Sequence, residues 1–358
     1  MTDLEDRIRE ALQDPRWQLP VWQDPMPRIR RAARGQRAVL AGAAAILLAV
    51  AAVLPLALMS RLGTRPPGTQ ASAAPTLPPR EAGSSIPSWT KRLHGEVAYG
   101  CGGALCLMRP DRTGKRMLSA PAPQWDPAWS PDGRRLAFRG YYGPAKGDFT
   151  LYVVDANGCH LTKLNAAMNG TSPSWSPTGR QIAFVIEGIN VINADGTASH
   201  SLTRDTPTYS DDSPAWSASN RIAFVRTRNR TSLGEIYTMN ADGSRVAALT
   251  HGAPGFGEPS WSPDGKSIAF VANPPGTIEV ANANGTRAHR VSPRSWTSYS
   301  PTWTPDRKVV FLTDSSAGIN AYIVNPDGTG LRLLYHLADL VQGTQIAWGP
   351  ASLPRGGC

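Results

Sequence analysis

One short element recurs along the C-terminal two-thirds of this chain, and it limits the possible folds more than any other feature. It reads PAWSPDGRRLAF at 127–138, PSWSPTGRQIAF at 173–184, PAWSASNRIAF at 214–224, PSWSPDGKSIAF at 259–270 and PTWTPDRKVVF at 301–311. A truncated copy, QIAWGP, occupies 345–350. Its tryptophans, Trp129, Trp175, Trp216, Trp261, Trp303 and Trp348, are spaced 46, 41, 45, 42 and 45 residues apart. A second element, an apolar strand ending in a tight turn, also occurs six times, as in LYVVDANG, IYTMNADG and AYIVNPDG.

Each repeat reads as four short strands. Strand A ends at P-x-W. An S-P-D-G turn follows, in which Pro pre-sets its own φ and Gly takes a positive one. Strand B is the IAF run, and strand C alternates apolar residues up to an N-A-D-G hairpin turn. Strand D closes the unit near Leu-Thr. Four strands in a period of about 40–46 residues specify one propeller blade. The first copy, near 95–119, has strands B, C and D without a tryptophan strand; the last has only strand A. Together they complete one blade, so the expected fold is all-β, a six-bladed β-propeller over 93–352 whose closing blade uses both ends of the domain. Closure removes an open sheet edge. The tryptophans and the IAF phenylalanines are expected in the core between blades.

The W-S-P-D-G-x-x-I-A-F element with its N-A-D-G turn resembles the TolB-type propeller repeat, over roughly residues 94–350. The resemblance implies the fold and a binding role. The copies at 214 and 301 depart from it: each lacks the turn Gly, and Asn220 is the residue suited to replace it in a left-handed conformation. TolB proteins carry a separate α/β domain before the propeller, whereas this chain has a different N-terminal region.

Residues 38–59, AVLAGAAAILLAVAAVLPLALM, are uncharged and apolar. As a helix, at about 1.5 Å per residue, they reach about 33 Å, enough to cross a bilayer core of about 30 Å. The segment is longer and farther from the N-terminus than a signal-peptide core. Arg28, Arg30, Arg31, Arg34 and Arg37 precede it, and only Arg61 and Arg65 closely follow. The positive-inside rule then places residues 1–36, with a short amphipathic helix near Leu4–Leu12, in the cytoplasm. Residues 37–59 are read as the membrane helix and 60–92, rich in Pro, Ala and Ser, as a tether. The propeller lies outside the plasma membrane, with a tail at 353–358. The formal charge of +10 shows no basic stripe interleaved with aromatics, so a nucleic-acid partner is not expected.

No G-x-S-x-G or H-E-x-x-H motif occurs, and no cofactor is expected. His160, His200 and His289 follow the C–D turns and are expected on outer strands. Two groups are candidate binding sites. Asp126, Ser172, Asp212, Ser213, Glu258 and Ser300 are expected just before strand A at the channel mouth, where acidic groups suit a cation or a basic segment, or bond neighbouring blades. Trp125, Tyr141, Tyr142, Tyr209, Phe256, Trp296 and Tyr299, with Arg226, Arg228 and Arg230, fall in loops on the same face, and such residues dominate protein interfaces. Cys101 and Cys106 bracket a Gly-Gly turn where a disulfide is feasible; Cys159 and Cys358 offer a second. The expected role is a non-catalytic scaffold binding a protein, peptide or envelope component. The alternatives are a propeller enzyme (lyase, lactonase or hydrolase) and a transmembrane signalling protein.

Overall fold

The computed structural model describes residues 88–101, 104–118, 124–141, 149–228, 234–252, 255–315, 318–337 and 345–351. These residues form six four-stranded antiparallel sheets. The first blade combines β1 (Val97–Cys101), β2 (Ala104–Met108) and β3 (Arg116–Leu118) with β24 (Ile346–Trp348), in the order β24-β1-β2-β3. The second holds β4 (Gln124–Trp129), β5 (Arg135–Tyr141), β6 (Phe149–Asp155) and β7 (Thr162–Met168). The third holds β8 (Thr171–Trp175), β9 (Gln181–Val185), β10 (Ile189–Asn193) and β11 (His200–Ser201). The fourth holds β12 (Tyr209–Trp216), β13 (Arg221–Arg228), β14 (Gly234–Asn240) and β15 (Ala247–Ala248). The fifth holds β16 (Gly255–Trp261), β17 (Ser267–Asn273), β18 (Thr277–Asn282) and β19 (His289–Arg290). The sixth holds β20 (Ser298–Trp303), β21 (Val309–Ser315), β22 (Gly318–Val324) and β23 (Arg332–Leu337).

The innermost strands β4, β8, β12, β16, β20 and β24 touch in sequence, and β24 touches β4. The six-bladed ring is therefore closed. Because neighbouring strands are antiparallel, every A–B and C–D turn lies at one end of the ring. Every B–C and D–A connection lies at the other, the mouth face.

Local chemistry sets the turns. In the first S-P-D-G copy, the Gly133 amide donates to the Ser130 carbonyl at 2.9 Å, and Asp132 accepts from both the Ser130 hydroxyl and the Arg134 amide. Gly133 has φ of 68°. In the two copies without Gly, Asn220 and Arg307 take that left-handed place, at 60° and 59°. Asn tolerates this conformation; for Arg it is uncommon.

The core consists of clusters between adjacent blades. Phe138, Phe184, Phe224, Phe270 and Phe311 are fully buried, each contributing about 1.5–3 kcal/mol by removal from water. The tryptophans tie blades together as well as filling space. Trp175 donates its indole N–H to the Ala128 carbonyl of the preceding blade, Trp261 to Ala215 and Trp303 to Ser260, at 2.9–3.1 Å.

Cys101 and Cys106 form a disulfide across the β1–β2 hairpin, with Cα atoms 5.9 Å apart. Cys159 is also disulfide-bonded; Cys358 lies outside the described residues. The tether was expected to run to residue 92, but Ser88–Arg92 form a short 3-10 helix. Thr90 is buried, and Trp89 and Leu93 pack against the core between blades six and one. Their apolar side chains pull the end of the expected tether into the domain. The expected cytoplasmic helix, the membrane helix and the rest of the tether lie outside the described residues. Among the described residues no helix is long and apolar enough to cross a membrane.

Candidate functional site

Every described innermost strand except β24 contains a register shift against its neighbour. The shifts fall between Trp125 and Ala128, Thr171 and Ser174, Asp212 and Ala215, Gly257 and Ser260, and Tyr299 and Thr302. Each bulge is built on a residue–proline pair. Proline has no N–H to donate to the ladder, so a bulge is where a strand tolerates it. The residue before it, Asp126, Ser172, Ser213, Glu258 or Ser300, has φ between 48° and 54°. A non-glycine residue there carries backbone strain, of order 1–3 kcal/mol, and this chain holds five of them at one level of the ring.

Together with their prolines and Gln345–Ile346, these five residues line a cavity of about 120 Å³. Two of the sequence expectations need correction. The ring lies inside strand A, at the bulge, rather than before the strand. Asp212 is not part of it: Asp212 sits one residue earlier, exposed, accepting a hydrogen bond from the Ser213 amide. Gln345 fills the sixth place, which the sequence reading missed because the truncated repeat lacks the marker proline.

Asp126 and Glu258 stand in the second and fifth blades. In a ring of six those two blades are opposite each other. Each carboxylate reaches to the equivalent residue of the next blade, Asp126 to the Ser172 amide and Glu258 to the Ser300 amide. Asp126 also pairs with Arg139 Nε at 3.2 Å. Burial raises both carboxyls above their ordinary values. For Asp126, Arg139 and the Ser172 amide oppose the rise and Asp212 adds to it; for Glu258 only the Ser300 amide opposes it.

This predicts a pH signature. The raised folded-state value of Glu258 means that the unfolded chain releases the proton at lower pH than the folded one. The carboxylate therefore costs stability at neutral pH, and the cost vanishes below about pH 4, where both states hold the proton. Glu258→Gln is expected to raise the thermal midpoint at pH 7 and to match the wild type near pH 3.5. A lower midpoint at pH 7 would refute the burial assignment.

The loop-face residues divide by role. Arg226 is not a free anchor. It forms two hydrogen bonds with the buried Asp211, at 2.6 and 2.7 Å, and its guanidinium lies 4.1 Å from the Tyr209 ring centre and 5.0 Å from that of Tyr237. Phe256 packs edge-on against Phe270, and Trp296 against Tyr322 with ring centres 4.5 Å apart. These two serve core packing. Tyr299 remains at the mouth: its hydroxyl donates to Asp314 at 2.7 Å, and burial, that bond and nearby Asp314 and Glu258 push its pKa upward. Arg228 ends β13 at the mouth face, exposed. Trp125 and Tyr141 lie in β4 and β5, at the mouth end of their strands. Tyr142 and Arg230 lie outside the described residues.

Among the described residues no group of three His, Cys, Asp or Glu is set to hold a metal. His200 and His289 lie on outer strands β11 and β19. His160 does not: it has φ of 51° and turns back to Asp155 at 2.7 Å.

A family model described as the TolB beta propeller domain matches residues 197–351. An uncharacterized protein of Agrobacterium fabrum is 26% identical over 165 residues, covering 43% of this chain and 52% of the relative. The chain thus spans about half the length of that relative. Among solved structures, TolB from Acinetobacter baumannii superposes with a TM-score of 0.59 at 22% identity, covering 75% of this chain and 69% of that one. Hydrazine synthase from Kuenenia stuttgartiensis superposes at 0.56 with 13% identity, covering 79% of this chain and 51% of that one. Likeness at these identities establishes the fold alone, and propeller folds do not determine chemistry.

Proposed function

We propose that this protein is a non-catalytic binding scaffold, tethered outside a membrane by the apolar run at 38–59, and that it takes a basic segment of a protein, peptide or envelope component at the channel. The observation carrying this reading is the pair of largely desolvated carboxylates, Asp126 and Glu258, from opposite blades of the ring, lining one cavity of about 120 Å³. That space suits one cationic side chain rather than a substrate with its reacting groups. The strained ring supports it as well, since such backbone persists where the surrounding structure over-determines it and collects at binding sites. A Lys or Arg entering the channel meets two carboxylates already desolvated, so part of the usual penalty for burying an ion pair is met in the free protein.

The test is capture of envelope proteins or basic peptides by the propeller, compared with a variant carrying Asp126→Asn and Glu258→Gln. Both substitutions preserve hydrogen-bond acceptors. Binding is expected to fall at least ten-fold in the variant and to weaken with salt. Equal capture by both proteins would remove the channel from the interaction.

A further inference from the structure

The two ends of the ring differ in charge. The A–B and C–D turns, with the entering segment 88–96, hold twelve Lys or Arg and eight Asp or Glu. All eight carboxylates are engaged. Six accept side-chain hydrogen bonds within their own turns. Asp306 holds His94, and Glu96 holds Arg116 through two bonds. Eleven of the twelve cations are exposed. The described connections at the mouth end hold two of each sign, Arg204 and Arg294 against Glu187 and Asp205; on the strands at that end, Arg228 and the Asp126-paired Arg139 stand against the channel carboxylates Asp126 and Glu258. Among the described residues, positive charge is therefore in excess in the turns and entering segment and balanced in the mouth connections.

That face is also where the chain enters. The His94 amide and ring bond to Asp306 in the A–B turn of the sixth blade, and the His94 carbonyl accepts from the Trp348 indole at 2.7 Å. Beside this entry lies a cavity of about 390 Å³. It is lined by the apolar Leu93, Ile323 and Val324, by Trp89, by the cations Arg92, Lys308 and Arg332, and by one carboxylate, Asp306, which His94 already engages; Lys308 also donates to Asn325 at 2.6 Å. Arg332 lies 5.4 Å from the Trp89 ring centre. Three cations against one engaged carboxylate, around an apolar pocket with a tryptophan among its lining residues, leave a net positive site that matches a lipid phosphate with its glycerol backbone, since indoles favour the membrane interface. The apolar run ends at residue 59, so residues 60–87 separate it from the entry.

We infer that the turn face docks on an anionic phospholipid bilayer, the cavity beside Trp89 receiving a headgroup. The mouth face then points away from the lipid, and the channel stays open while the domain is docked. The inference holds with or without the membrane anchor, because it concerns the propeller surface alone.

Residues 88–351 contain every strand of the six sheets and both halves of the closing blade, so a fragment of residues 88–358 keeps the whole fold while lacking the apolar run. Its co-sedimentation with phosphatidylcholine vesicles, and with vesicles also containing phosphatidylglycerol, tests the inference. Binding is expected only to the anionic vesicles and is expected to be reversed by salt. Neutralising Arg92, Lys115 and Arg287 together with glutamine should weaken binding on the order of 100-fold, at about five-fold per charge. Arg204→Gln with Arg294→Gln, on the mouth face, should leave it unchanged. A melting curve for each variant confirms that it is folded. Equal binding to both vesicle types, no binding, or a triple variant that binds as wild type would overturn the inference. Complete displacement by soluble glycerol phosphate at matched ionic strength would also overturn it, because the site would then serve a free anion.

Discussion

Trp348→Ala is expected to lower the stability of the propeller by about 3–5 kcal/mol, the range for truncating a buried aromatic, and to do so through the seam of the ring. The closing blade is held by three residue pairs between β1 and β24: Val97 with Trp348, Ala98 with Ala347, and Tyr99 with Ile346. Trp348 fills the core between the first and sixth blades, and its indole N–H reaches the His94 carbonyl. The Gly349 amide adds a bond to the Glu96 carbonyl at 2.8 Å. The seam has no slack, because a Cβ on Gly349 would come within 2.9 Å of the Trp129 ring. Ending the chain at residue 344 should therefore prevent stable folding, since removing β24 exposes the edge of β1. Equilibrium denaturation measures both effects. A midpoint for Trp348→Ala equal to that of the wild type would show that the ring does not depend on this seam.

Asp211→Ala is expected to be comparably costly, about 3–5 kcal/mol, because it leaves the Arg226 charge half-buried without its partner. Asp211 is buried, and its backbone amide donates to Asp205 at 2.9 Å. Both its oxygens accept from Arg226, whose guanidinium lies among Tyr209, Tyr237 and Phe224. The bonds to Asp211 raise the Arg226 pKa; without them the guanidinium still keeps its charge, because the ordinary arginine value lies far above neutrality. Replacing both partners with apolar residues, Asp211→Leu with Arg226→Met, removes the stranded charge and should recover most of the loss. A double-mutant cycle by chemical denaturation reads the coupling directly. If the two single losses simply add, the pair does not act as a unit and the structural role assigned to Arg226 fails.

That pair marks a limit of reading function from the chain. Arg226, Phe256 and Trp296 have the residue types of interface anchors, yet one is locked to Asp211 and the other two fill cores. Side-chain type alone did not reveal this, because each partner or cluster is brought together by sheet register and blade packing.

The repeat itself determined a great deal. Turn chemistry and alternating apolar residues act over a few positions, so the number of blades, the strand order within each blade and the splitting of the closing blade were legible in the residues. The hairpin carrying Cys101 and Cys106 was legible for the same reason. The tertiary structure alone decided the rest. It placed five residue–proline pairs as left-handed bulges within strand A and brought Gln345 into their ring. It also set Asp126 in the blade opposite that of Glu258 and gathered eleven exposed cations at the end where the chain enters. These arrangements join residues from different blades, and only the closed ring brings them together.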